Sequence, residues 1–184
     1  TGYIQNSNST PFTASGEDSP IREDYPAYMA PDAENFRAVH SIPLLETDQT
    51  FTLESLLDIA YDPYLPGFEK LIPGLVSAWD ADRANWPQLE APIAVLRDWD
   101  FRTGVDSVAM SLAHFYGMAA AQRIDTPEAL TQMEQINWLG TDSAPAERLQ
   151  VFSEVIEQLD TAFASWQTPW GEINRFQRLT GDID

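Results

Sequence analysis

Residues 149–166 read LQVFSEVIEQLDTAFASW, a stretch in which Leu149, Phe152, Ile156, Leu159, Phe163 and Trp166 recur every three or four positions with Glu and Gln between them. At 3.6 residues per turn those six form one stripe of an α-helix, apolar side inward and polar side to water. The same period runs through most of the chain. Towards the N-terminus, Thr126 and Pro127 open a helix through Leu130, Met133 and Trp138, since proline's missing N–H costs nothing in a first turn. Asp106 is a candidate cap for Val108, Leu112, Phe115 and Ala119, and a helix from about Leu89 to Arg97 precedes it. Pro63, Pro66 and Gly67 break the chain ahead of Phe68, Leu71, Leu75 and Trp79. Thr52 caps a short helix containing Leu53, Leu56, Leu57 and Ala60. Phe36, Val39 and His40 begin the first helix, which Pro43 should end or kink. The expectation is a mostly α protein.

Residues 1–30 are different in kind. From Ser7 to Pro31 the chain is rich in Ser, Thr, Pro and Gly, a composition that makes an irregular surface segment. The opening GYIQN reads as a short strand, in which Ile4, Asn6 and Asn8 would share one face. The predicted organisation is therefore an extended or loop segment over 1–30 and a helical domain over 31–184. The tail PWGEINRFQRL shows no clear period, and there is no internal repeat.

With 184 residues, 43% of them hydrophobic and six of them Trp, the chain has ample material for a packed core. Its 29 acidic residues outnumber 10 Lys and Arg, for a net charge of −19. A field of that sign repels phosphate backbones and anionic lipid, so neither nucleic acid nor a membrane surface is an expected partner. Cysteine is absent, which removes disulfides, thiolate metal sites and Cys nucleophiles. No run approaches the ~20 apolar residues of a membrane span. The chain opens at Thr1 without an initiator Met, so it reads as cut from something longer, with targeting information upstream.

Among polar residues Asn6 and Asn8 draw the eye. A primary amide is a neutral donor able to stabilise a developing oxyanion. Taken alone, Asn-Ser-Asn-Ser-Thr-Pro is more often a turn, because Asn and Ser bond their own backbone. His40 and His114 lie in helical apolar patterns without metal-ligand spacing and read as structural. Asp80 and Asp82, like Asp98 and Asp100, alternate with one other residue, but the calcium-loop pattern with its central Gly and terminal Glu is missing, so capping and solvated turns are the safer reading. Thr1 is a second kind of candidate, since a terminal Thr can serve as nucleophile with its own amine as base.

TGYIQNSNSTPF resembles a segment of the penicillin amidases, the family that includes penicillin G acylase and the acylases of homoserine lactones and lipopeptides. The pattern there is small-Gly-Tyr-[Ile/Val]-x-Asn-x-Asn-x-x-Pro, and Gly2, Tyr3, Ile4, Asn6, Asn8 and Pro11 match in register. ENFRAVHSIPLLE is similar to the family helix whose Arg approaches the active site. LRDWDFRTGVDSVAMSL resembles a helix-turn-helix block, with Trp99, Asp100, Ser107, Ala109 and Leu112 in place. PWGEINRFQR is similar to a Trp-Gly-x-x-[His/Asn]-Arg stretch, on Trp170, Gly171, Asn174 and Arg175. The four blocks occur in order over nearly the whole chain.

The resemblance implies a helical section of a larger αββα N-terminal-nucleophile hydrolase, autoprocessed and periplasmic or secreted, that cleaves an acylated amide substrate. It places the side-chain oxyanion donor on Asn8 and the orienting arginine on Arg37. It also puts the Ser nucleophile outside this chain and makes Thr1 an internal small residue, so the fragment alone is expected to be inactive. No cofactor or metal is expected in the chain itself, although the resemblance allows calcium in the intact enzyme; the remaining subunit segments are the expected protein partners. Two rival readings stand beside it, a non-catalytic helical binding module and a stand-alone hydrolase using Thr1.

Overall fold

The structure, a computed structural model, describes residues 3, 5–47 and 50–175. Among them eight α-helices follow in order: α1 Phe36–Glu46, α2 Leu53–Ala60, α3 Pro66–Asp82, α4 Glu90–Arg97, α5 Val108–Arg123, α6 Gln132–Thr141, α7 Pro145–Phe163 and α8 Trp170–Ile173. There is no strand among the described residues. The one extended pairing is an isolated antiparallel bridge between Tyr64 and Arg102. Mostly α is the observed class.

Why these helices sit together follows from what they bury. α5 is buried on several sides, with Ala109, Leu112, Ala113, Tyr116, Ala119 and Ala120 all inside, and it becomes the central helix. α7 brings Leu149, Phe152, Val155 and Leu159 against it, and the Tyr116 and Phe152 rings meet edge to face at 5.6 Å. α3 contributes Leu71, Ile72 and Leu75, and α4 adds Ile93 and Leu96. α3 and α6 cross with backbones in contact. A methyl group at Gly74 would overlap the carbonyl of Gly140, and one at Gly140 would overlap the carbonyl of Lys70. Near that crossing Arg148 is buried, its Nε donating to Ser143 Oγ at 2.8 Å and its Nη1 to the Gly74 carbonyl at 3.2 Å.

Several local expectations need correction. Ser107, not Asp106, caps α5, accepting from Met110 N at 3.0 Å. α6 does not open at Thr126 and Pro127; it starts after Thr131, which exchanges hydrogen bonds with Glu134 in a capping box. A closed box satisfies two backbone donors, which the Thr126-Pro127 start does not offer. Pro43 does not end α1, because in the last turn it forfeits a single ladder bond and the helix continues to Glu46. Pro66 is the first residue of α3 rather than a breaker before it. α7 stops at Phe163, where Ala164 turns left-handed at φ 63°; Trp166 is off the helix yet still packs on the core. The Thr52 cap of α2 stands, closed by Ser55.

The N-terminal strand is absent over the described part of GYIQN; Thr1, Gly2 and Ile4 lie outside the described residues. Before α1 the described residues form three short 3₁₀ turns and no other helix. The segment is docked along α1. Tyr3 donates to Glu46 Oε1 at 3.2 Å near the helix C-terminus, and Gln5 Nε2 donates to the Ala14 carbonyl at 2.8 Å. The alternation expected of a strand breaks at Asn8, whose φ is 53°.

Candidate functional site

The site grows from a turn and a helix start. Asn6 Oδ1 accepts the backbone N–H of Asn8 at 2.8 Å, an Asx turn that bends the chain at Asn8 and Ser9. Asn8 then adopts a left-handed conformation, which Asn tolerates better than most residues. The turn that the residues alone suggested is thus present, and it holds Asn8, the residue the resemblance singled out.

Asn35 joins this turn to α1. Its Oδ1 accepts from Arg37 N and Ala38 N, both at 3.1 Å, and so caps the helix. Its Nδ2 donates back to the Ser7 carbonyl at 2.9 Å and the Asn8 carbonyl at 3.2 Å. Two residues past the cap, Arg37 Nη2 donates to Asn8 Oδ1 at 3.3 Å. A guanidinium has donors only, so the oxygen of the Asn8 amide must face it. The Asn8 Nδ2 therefore faces away, and among the described residues it has no protein partner. Both side chains are exposed. The two candidate residues are 29 positions apart in sequence and in direct contact in space.

α1 is itself braced. His40 shares the Arg37 side of the helix one turn further on, with Nε2 3.2 Å from Asp62 Oδ1, a polar contact that falls short of a directed hydrogen bond. Arg102 Nη1 reaches Asp62 Oδ2 at 2.9 Å, and Tyr64 N donates to Asp62 Oδ1 at 3.1 Å. Burial pushes the Asp62 carboxyl up, but the bonds from Arg102 and Tyr64 and the charges of Arg102 and His40 outweigh it and hold the group below the usual carboxylate range. Asp62 and Arg102 carried no local signal in the sequence, being 40 residues apart. Asn35 did carry one: an Asn immediately before an apolar helical period is an N-cap pattern.

The other candidates separate. His114 packs its ring against Trp170 at 4.8 Å, and burial lowers its pKa from the ordinary 6.5. Asp80 pairs with Arg97, Asp82 accepts from Asn85 and Trp86, and Asp100 caps Arg102 N. No group of three or more His, Asp or Glu able to hold a metal ion occurs among the described residues. Thr1 lies outside the described residues. The two later sequence blocks meet: Trp170 N donates to Ser107 O at 3.1 Å and Gly171 N to Val105 O at 2.8 Å. Asn174 and Arg175 are exposed, with Arg175 3.5 Å from Glu172.

The sequence model described as penicillin amidase matches residues 1–181. The chain belongs to the penicillin amidase family. Membership points to acylase, or amidohydrolase, function. No helix among the described residues is long and apolar enough to cross a membrane.

Proposed function

We propose that this chain is the oxyanion-binding and scaffold portion of an acylase that cleaves linear amides by acyl transfer. The nucleophile is an N-terminal Ser, exposed by autoprocessing, in segments outside these 184 residues. That Ser attacks the substrate carbonyl while its own α-amino group takes the hydroxyl proton, and Asn8 Nδ2–H donates to the tetrahedral oxyanion. Collapse breaks the C–N bond, the proton leaves with the amine, and water then hydrolyses the acyl ester to the free acid and regenerates the Ser. Arg37 holds the Asn8 amide in the donating orientation. The substrate is an acylated amide, the protein partners are the remaining segments of the enzyme, and its place is the periplasm or the exterior.

The observation that carries this reading is the Arg37–Asn8 hydrogen bond, which turns a free donor outward at the residue where the family pattern puts one. Asn8→Asp tests it. The carboxylate keeps, and strengthens, the contact with Arg37 but has no hydrogen to donate and repels an oxyanion. In the intact acylase kcat should fall by about 10² to 10³ with KM much less affected, as for loss of an oxyanion donor. Unchanged kcat would remove Asn8 from the mechanism and favour a non-catalytic binding module. The 184-residue chain alone should turn over no chromogenic acyl amide. Turnover abolished by Thr1→Ala would instead make Thr1 the nucleophile.

A further inference from the structure

Asn35 divides its amide between two jobs that no local sequence pattern links. The oxygen caps α1, the helix that carries Arg37. The nitrogen grips the carbonyls of Ser7 and Asn8, the backbone that carries the outward-facing amide. Arg37 and Asn8 meet at only one atom pair, 3.3 Å apart, on two exposed side chains. A single contact between exposed groups is weak in water: it selects which end of the Asn8 amide faces Arg37 but does not fix where the turn sits relative to α1. The flanking 3₁₀ segment adds one backbone tie, Thr10 N to Ala33 O at 3.3 Å. Ser7 Oγ also lies 3.5 Å from Ser41 Oγ on α1, at the long limit of a hydrogen bond. The strongest described link at the turn is Asn35, which is half-buried and has four bonds made.

We propose that Asn35 is a positioning residue for the acylase reaction, setting where the Asn8 backbone sits relative to the Arg37 helix and so where the Asn8 donor points. The inference rests on the assignment of Asn8 as oxyanion donor. It says that the cap and the latch are separable. The cap needs only an oxygen acceptor, which Asp and Ser supply as well as Asn. The latch needs a donor of the right length, which neither supplies: Asp caps with one oxygen and turns the other, an acceptor, towards the two carbonyls, and Ser is too short to reach them.

The test uses Asn35→Asp, Asn35→Ser and Asn35→Ala, with Arg37→Ala and Asn8→Ala as references. In the 184-residue chain the Asn8 side-chain N–H resonances and the Tm are followed; in the intact acylase kcat and KM are measured. Asn35→Asp and Asn35→Ser should keep Tm within a few degrees, because the helix remains capped. Both should shift the Asn8 amide signals as Arg37→Ala does and lower kcat roughly 10- to 100-fold with KM nearly unchanged, the scale of a misplaced catalytic group. If Asn35→Asp does not fold, Asn35→Ser carries the same comparison. Folded Asp and Ser variants with wild-type Asn8 signals and wild-type kcat, and Asn35→Ala defective only in Tm, would reduce Asn35 to a cap and overturn the proposal. Full activity in Asn8→Ala would sink the oxyanion assignment instead, whatever Asn35 does to the resonances.

Discussion

At Asn8, backbone and side chain make separate demands. The left-handed φ of 53° is cheap for Asn and Gly and costs about 1 kcal/mol or more for residues with an ordinary Cβ. Asn8→Gly keeps the backbone comfortable and deletes the amide; Asn8→Ala deletes the amide and adds strain. Both should lose the same factor in kcat, while only the Ala variant should melt earlier, by about 1 kcal/mol in a denaturant titration. Equal melting with unequal kcat would mean the two demands have been assigned the wrong way round. His114 supplies a pH dependence at the same scale. Burial depresses its pKa, so in the window just below the ordinary 6.5 the unfolded chain takes up a proton that the folded chain refuses. Its contribution is fully present above pH 6.5 and is lost as pH falls through the folded value. His114→Phe, which keeps a ring against Trp170, should flatten the stability profile in that window. A profile that keeps its acid slope there would place the titrating group elsewhere.

At the scale of elements, helix starts are the sharpest tests. Thr131→Ala should cost about 1 kcal/mol, since the hydroxyl accepts from Glu134 N and belongs to a closed box, whereas Thr126→Ala should cost little. Chemical denaturation of the two variants decides it. Similar losses would mean that Thr126 does capping work the geometry does not show. This pair also shows what the sequence could yield. The α6 period through Met133 and Trp138 was visible in the residue spacing, because burial imposes that spacing directly. Its start was less plain, because Thr126-Pro127 and Thr131-x-x-Glu134 both read as helix openings, and it is the second that closes a box satisfying two backbone donors. Asp106 and Ser107 present the same ambiguity one residue apart. The candidate site was legible in another way: local chemistry gave a turn at Asn6 and could have given Asn35 as a cap, the family resemblance gave Asn8 and Arg37, and neither could give the Asn35 bonds to the turn or the contact of Asp62 with Arg102. Those contacts join residues 27 and 40 positions apart, respectively.

For the molecule as a whole, the body that carries α1 depends on how closely α3 and α6 approach. Gly74→Ala should destabilise the protein by about 3 kcal/mol, the upper part of the usual cost of overpacking, because the new methyl meets backbone and no side chain can swing away. Exposed Gly104, with nothing within 4 Å of its added methyl, is the control and should accept Ala with little change in Tm. Tolerance at Gly74 would show that the crossing can open without loss. The arrangement also has a bearing on how such a chain can vary. The space that either glycine leaves is filled by the main chain of the opposite helix, so widening the crossing for one residue would draw the Arg148 guanidinium away from the Gly74 carbonyl as well. Core positions such as Ile72 or Leu149 can drift among aliphatic neighbours in small compensated steps. Gly74 and Gly140 have no such intermediate. In a library diversified throughout α3, α6 and α7 and selected for folding, the apolar positions should return as mixtures of hydrophobes, while these two return as glycine alone.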